Sequence, residues 1–145
     1  MRARVVLNPI AGPGRTRTLS ACIDLAKSAL SAHGYDVDVQ VTAGPNDAFR
    51  LAREAVDSNV DLVVAWGGDG TVNGTATACA ETKVPLAIIP GGSGNGLARD
   101  LQIPLNANAA FAIAATGAVR TIDAGDLHGS LFFNVAGVGF DARIG

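Results

Sequence analysis

Short, nearly continuous apolar runs alternate along this chain with longer stretches in which apolar residues recur every three or four positions. Residues 3–8 (ARVVLN) read as a buried strand ending at Asn8-Pro9, and residues 10–15 (IAGPGR) as turn material. Leu19, Cys22, Ile23, Ala26 and Leu30 predict a helix from about 16 to 33, closed by Gly34. Residues 35–41 alternate polar and apolar as a second strand would, and Ala48, Leu51, Ala52, Ala55 and Val56 predict a helix over about 47–58. DLVVAW at 61–66 is the continuous apolar run of a strand covered on both faces. GGDGT then leads into a helix predicted over about 72–81, and PLAIIP at 85–90 is a fourth strand. A glycine-rich loop at 91–96 opens a helix reaching about Leu101, and an alanine-rich helix runs from Asn106 to Thr116.

Strands alternating with helices imply βα units, so the predicted fold is a three-layer αβα sandwich around a mainly parallel sheet. The rhythm changes after residue 119. TIDAGDLHG and SLFFNVAGVGFDARIG contain strands with no helix between them, which predicts antiparallel β structure. Residues 1–119 are therefore read as one α/β domain and 120–145 as the truncated beginning of a β-rich second domain. Leu131, Phe132, Phe133, Val135, Ala136, Val138 and Phe140 form an apolar segment without evident sheet partners. Such a segment is expected to pair with another copy as a homodimer, fold back, or aggregate, the alternative being that it packs on its own α/β domain.

Composition changes this picture in a few places. The 145 residues are 48% hydrophobic and 17% charged, an ordinary globular balance. Eighteen glycines are nearly twice the usual share, so many backbone positions are expected to need special dihedrals or close approach to a ligand. The net charge of −2 gives no general attraction to nucleic acid or to an anionic membrane. Arg2, Arg4, Arg15 and Arg17 crowd the first 17 residues; they read as a solvated face, or as a source of a phosphate contact from Arg15 or Arg17. Cys22 and Cys79 lack CxxC spacing and are expected to be free buried thiols. With no signal-like start and no apolar run near ~18 residues, a soluble, cytoplasmic protein is expected.

Ligands of open parallel sheets bind beyond the carboxyl ends of the strands. Three such ends carry loops of glycine and small polar residues: Asn8 to Gly12, Gly67 to Thr71, and Gly91 to Gly96. Bare backbone lets N–H groups reach an anion, and a following helix adds partial positive charge. The Walker pattern is absent, and a GxGxx[GA] match at Gly137, Gly139 and Ala142 lies among predicted antiparallel strands, so neither common phosphate motif applies. Asp69 would repel a triphosphate unless compensated. It reads as a partner of Mg²⁺, as an acceptor of the attacking hydroxyl's proton, or simply as an Asp-Gly turn. Thr71 reads as a helix N-cap whose hydroxyl could also meet a phosphate, and Ser93 and Asn95 carry the same two readings at the next helix.

GGDGT at 67–71, preceded by NPIAG at 8–12 and followed by IPGGSGN at 89–95 and FFNVAGVGFDA at 132–142, resembles the diacylglycerol kinase catalytic domain family. That family includes bacterial lipid kinases, sphingosine kinases and ceramide kinases. The resemblance implies a first domain like those of phosphofructokinase and NAD kinase, and an ATP-dependent lipid kinase using ATP and Mg²⁺. Its partners would be ATP and a lipid met by peripheral membrane contact, with no nucleic acid. Carried over by position, the nucleotide contacts would be Asn8, Pro9, Gly12, Thr42, Gly67, Gly68, Asp69, Gly70, Thr71, Gly92, Ser93, Gly94 and Asn95. Asp69 would be the catalytic carboxylate and Asp141 would face the lipid head group. Where many members have Asn-Glu after GGDGT this chain has Asn73-Gly74, which removes a capping-box carboxylate at the third position of the predicted helix. NAD kinase explains GGDGT but not the other three motifs. A nucleotide-binding module without catalysis is the remaining alternative.

Overall fold

The computed structural model describes residues 1–10 and 17–134. Strand β3 (Leu62–Gly67) takes the centre of the sheet, as six consecutive buried residues require. β1 (Arg2–Leu7) and β4 (Leu86–Pro90) flank it, and β2 (Asp36–Val41) lies outside β1, giving the order β2-β1-β3-β4 with every pair parallel. Side-chain alternation sends Ala3, Val5 and Leu7 of β1 to one face and Val6 to the other. α1 (Leu19–Ser31) and α5 (Ala107–Thr116) cover the first face with Cys22, Ala26, Leu30, Ala110 and Phe111. α2 (Asp47–Asp57), α3 (Asp69–Cys79) and α4 (Gly96–Asp100) cover the second, with Leu51, Ala52 and Ala55 packed on Val6 and Val63, and Val72, Leu97 and Ala98 on Ala65 and Ile88. The predicted three-layer architecture is the observed one.

Helix starts differ from the sequence reading where a cap decides them. The Thr18 hydroxyl accepts from Ala21 N at 3.2 Å, so α1 starts at Leu19 and not near residue 16. Asn106 caps α5 in the same way, accepting from Ala109 N at 3.2 Å. α3 starts at Asp69, ahead of the predicted 72, with Gly68 at the cap position. Thr71 is therefore not an N-cap. Gly74 likewise falls in the body of α3, where an added Cβ would lie 3.2 Å from both Ala48 Cβ and Phe49 N of α2. The glycine there lets two helices close on each other, and no capping box is at issue.

Arg4 is the one charged side chain of β1 that points beneath a helix. Its Nη1 donates to Leu51 O at 3.3 Å and its Nη2 pairs with Asp38 at 2.8 Å, while the buried Nε finds no partner among the described residues. After α5, β5 (Gly125–Leu127) and β6 (Ser130–Phe132) form an antiparallel hairpin. Its turn residues, His128 and Gly129, have φ of 53° and 83°, the positive values that match the twist of a two-residue hairpin. Phe132 lies over Gly125, and Phe133 packs on the cluster of Ala65, Val72, Ile88, Leu97 and Ala98. The first part of the expected self-pairing segment thus packs on its own chain; Val135 to Phe140 lie outside the described residues. No helix among the described residues is long and apolar enough to cross a membrane.

Both cysteines are free and buried. Burial pushes the Cys79 thiol up to about 11 from 9.0. The fold favours the neutral thiol, so this contribution is complete below pH 9 and disappears as pH rises from 9 to 11. It amounts to about 3 kcal/mol. Urea unfolding followed from pH 8 to 11 should show that decline in the wild type and a visibly flatter one in Cys79→Ala. Parallel curves for the two proteins would show that the thiol does not carry it.

Candidate active site

The order β2-β1-β3-β4 reverses the direction of chain progression between β1 and β3, the place where open α/β sheets open a crevice. Backbone bonds extend the ladder past the strand ends and aim the loops from one edge. Asn8 N donates to Trp66 O at 2.9 Å, Thr42 N to Leu7 O at 2.9 Å, and Gly91 N to Gly67 O at 2.8 Å. Asn8, Pro9, Thr42, Gly67 to Thr71 and Gly92 to Asn95 all fall on that edge. Gly12 and Asp141 lie outside the described residues.

Side chains then tie the loops together. Asn8 Nδ2 donates to Thr71 Oγ1 at 3.1 Å, and Asn8 Oδ1 accepts from Ile10 N at 3.0 Å, so one amide joins the first loop to the first turn of α3. Thr71 is buried, and its hydroxyl keeps a hydrogen to donate. The Asp69 carboxylate crosses to the third loop: Oδ2 accepts from Asn95 N at 3.0 Å and Oδ1 from Gly96 N at 2.7 Å. Those are the donors at the start of α4, whose own cap residue Asn95 makes no side-chain cap bond. Asn95 instead turns its side chain inward, accepting from Gly92 N at 2.8 Å and donating to Gly92 O at 2.6 Å. Arg99 Nε donates to Gly94 O at 2.8 Å, and Ser93 is exposed at the tip. Asp69 is thus the fastener between two glycine loops, and it sits in helix rather than in an Asp-Gly turn.

The glycines divide by what surrounds them. A Cβ on Gly92 would come within 2.5 Å of Gly68 Cα, so the second and third loops touch backbone to backbone. Gly70 differs, since a Cβ there would meet nothing within 4 Å. Beside the crevice, Ala43 N at 2.8 Å and Gly44 N at 3.2 Å donate to Asp47, shaping the turn after Thr42. The Ala43 bond, and after it Arg50, hold the half-buried Asp47 carboxyl below its ordinary value. A cavity of about 470 Å³ runs along β4 past Leu86, Ile88, Leu101 and Phe133, with none of the loop residues lining it.

Metal capacity is small. Among the described residues no three His, Cys, Asp or Glu side chains converge, and Asp69 is the one carboxylate within the tied loops. That donor set suits Mg²⁺, which keeps most of its waters and takes one or two carboxylates together with substrate phosphates. Sequence reasoning gave no role to Asn134, yet its side-chain amide lies against Gly96 beside Asp69. The only signal was its place inside the FFNVAGVGFDA segment.

Parallel sheet, switch-point crevice and glycine loops opening onto helices define an open α/β domain with helices on both faces of its sheet. The family model of the diacylglycerol kinase catalytic domain matches residues 2–127, and the chain belongs to that family. It is 39% identical over 115 residues to a probable lipid kinase YegS-like protein of Chromohalobacter salexigens, covering 77% of this chain and 37% of that protein. A probable lipid kinase YegS-like protein of Pseudomonas aeruginosa is 39% identical over 121 residues, covering 82% and 40%. A crystal structure of a diacylglycerol kinase from Bacillus anthracis superposes with a TM-score of 0.78 at 30% identity, covering 90% of this chain and 49% of that one. The chain thus spans well under half of the curated relatives it matches. Membership of this family removes the basis for the NAD kinase alternative.

Proposed function

We propose that this chain supplies the nucleotide half of an ATP-dependent lipid kinase, which moves the γ-phosphoryl group of ATP to a hydroxyl of a diacylglycerol, sphingoid base or related lipid. The observation that carries the proposal is the set of loops after β1, β3 and β4, leaving one sheet edge and tied by Asn8 and Asp69. Gly67 to Thr71 and Gly92 to Asn95 would surround the phosphates and meet them with the backbone N–H groups not already taken, since those of Gly92 and Asn95 are held by Asn95 Oδ1 and Asp69, while Asn8, Pro9, Gly12 and Thr42 would line the nucleoside side. Mg²⁺ bound with the nucleotide would neutralise phosphate charge during transfer. Asp69, held by two backbone donors, is suited to meet a hydrated cation through its remaining lone pairs. That fixed seat supports the metal-linked reading over a carboxylate that swings towards a hydroxyl.

Transfer also requires the acceptor hydroxyl in line with the γ-phosphate. The chain spans about 40% of the length of these lipid kinase relatives, so the 145 residues alone should bind nucleotide without phosphorylating lipid. Asp141 would belong to that lipid side.

Nucleotide binding is testable directly. An NMR titration should show ATP bound with Kd of ~0.1–1 mM, weak because the crevice is half open. Gly70→Val should keep the fold, because the added side chain meets open space, and yet lose binding at several millimolar. Gly68→Val is the poorer probe, since a Cβ there presses on Gly92 at 3.2 Å and disturbs the loops themselves. Undiminished binding by Gly70→Val would overturn this placement of the phosphates.

A further inference from the structure

The place of Asn134 is set by its neighbours. Phe132 lies over Gly125 and Phe133 enters the apolar cluster beside Leu97 and Ala98, which fixes the chain on both of its preceding residues. The Asn134 amide consequently reaches the mouth of the crevice. It occupies the space that a side chain at Gly96 would take, because a Cβ on Gly96 would overlap Asn134 Nδ2. The same Cβ would stand 3.6 Å from Asp69 Oδ1, so the amide and the carboxylate flank one residue. The side-chain hydrogen bonds of this loop are made by Asp69, Gly92, Gly94, Asn95, Gly96 and Arg99, and among the described residues Asn134 takes part in none of them. It is also exposed to solvent. A side chain held by two anchored phenylalanines, given room by a glycine and without a hydrogen-bond partner among the described residues, is placed for a ligand.

We infer that Asn134 is a specificity-determining residue that donates its Nδ2 hydrogens to the terminal phosphate of ATP, so that the site separates a nucleoside triphosphate from a diphosphate. The inference rests on the nucleotide reading proposed above. Its chemistry is that of an uncharged donor beside a carboxylate. An arginine or lysine at this point would pair with Asp69 and pull it from the Asn95 and Gly96 N–H groups. An amide meets a phosphate oxygen and leaves that fastening in place. Gly96 is part of the same device, since its missing side chain is what admits the amide.

The test is calorimetric or NMR titration of the 145-residue chain with ATP and with ADP, each with Mg²⁺. For the wild type both should bind. Asn134→Ala should weaken ATP about tenfold and leave ADP within about twofold. Asn134→Asp keeps the shape but sets a negative charge against the phosphate, so the ATP loss should be larger still. Gly96→Ala should displace the amide and reproduce the Asn134→Ala pattern, and the double variant should lose no more than either single one. Equal losses for ATP and ADP, or an unchanged ratio in Asn134→Ala and Asn134→Asp, would overturn the assignment. Absence of both ligands from the wild type would instead overturn the nucleotide reading on which it stands.

Discussion

Asp69→Asn in the catalytically complete protein is expected to cut phosphoryl transfer by at least ~100-fold, a loss of about 2.7 kcal/mol in transition-state stabilisation. Two causes act together. Removing the charge takes away the one carboxylate that the tied loops offer to a phosphate-bound cation. The amide also replaces one acceptor oxygen with a donor, which then faces either Asn95 N or Gly96 N and loses that bond. The change is thus less conservative than its shape suggests. Asn95→Ala separates the causes, because it frees Gly92 and loosens the loop while leaving the carboxylate intact. If charge matters, Asp69→Asn should fall well below Asn95→Ala in turnover. Matching turnover in the two variants would leave Asp69 with fastening as its whole role.

Phe111→Ala should cost about 3–5 kcal/mol of folding stability, the range for deleting a large aromatic from a core. Phe111 is fully buried and meets Trp66 edge to face, with ring centroids 5.1 Å apart at 82°. This pair joins α5 to the carboxyl end of β3, one residue before the glycine loop and at the carbonyl that receives Asn8 N. Against a total of about 5–15 kcal/mol for an ordinary domain, the loss is a large fraction. Urea unfolding read by the fluorescence of Trp66, the sole tryptophan, measures it. A loss under about 1 kcal/mol would mean that α5 and its neighbours collapse into the space.

The sheet was readable in the sequence because β3 is buried along its whole length and β1 and β4 end in buried apolar residues, a pattern set by covering both faces. The loops stood out as a candidate phosphate site because their glycines recur at three strand ends. What failed was local and had distant causes. Thr71 resembles a cap in sequence, but its partner is Asn8, 63 residues away, and Gly68 sits at the cap position. Asp69-Gly70 resembles a turn, but the carboxylate is held by donors 26 and 27 residues on. Asn134 gave no signal of its own, since its position depends on two phenylalanines finding their seats. Sequence periodicity encodes which face is buried; it does not encode which loop leans on which.

The contact between Gly68 and Gly92 has a consequence for anyone redesigning this domain. Neither position can be diversified with the other held fixed, because each residue is the floor on which the other rests. A library aimed at altered nucleotide preference that randomised the whole of both loops would spend most of its members on collapsed scaffolds. Gly70 and Ser93 are different, one facing open space and the other exposed at a loop tip, and Gly44 beside Thr42 is equally unencumbered. These three positions ring the crevice without bearing on one another, so variation confined to them would sample new ligand surfaces on an unchanged frame.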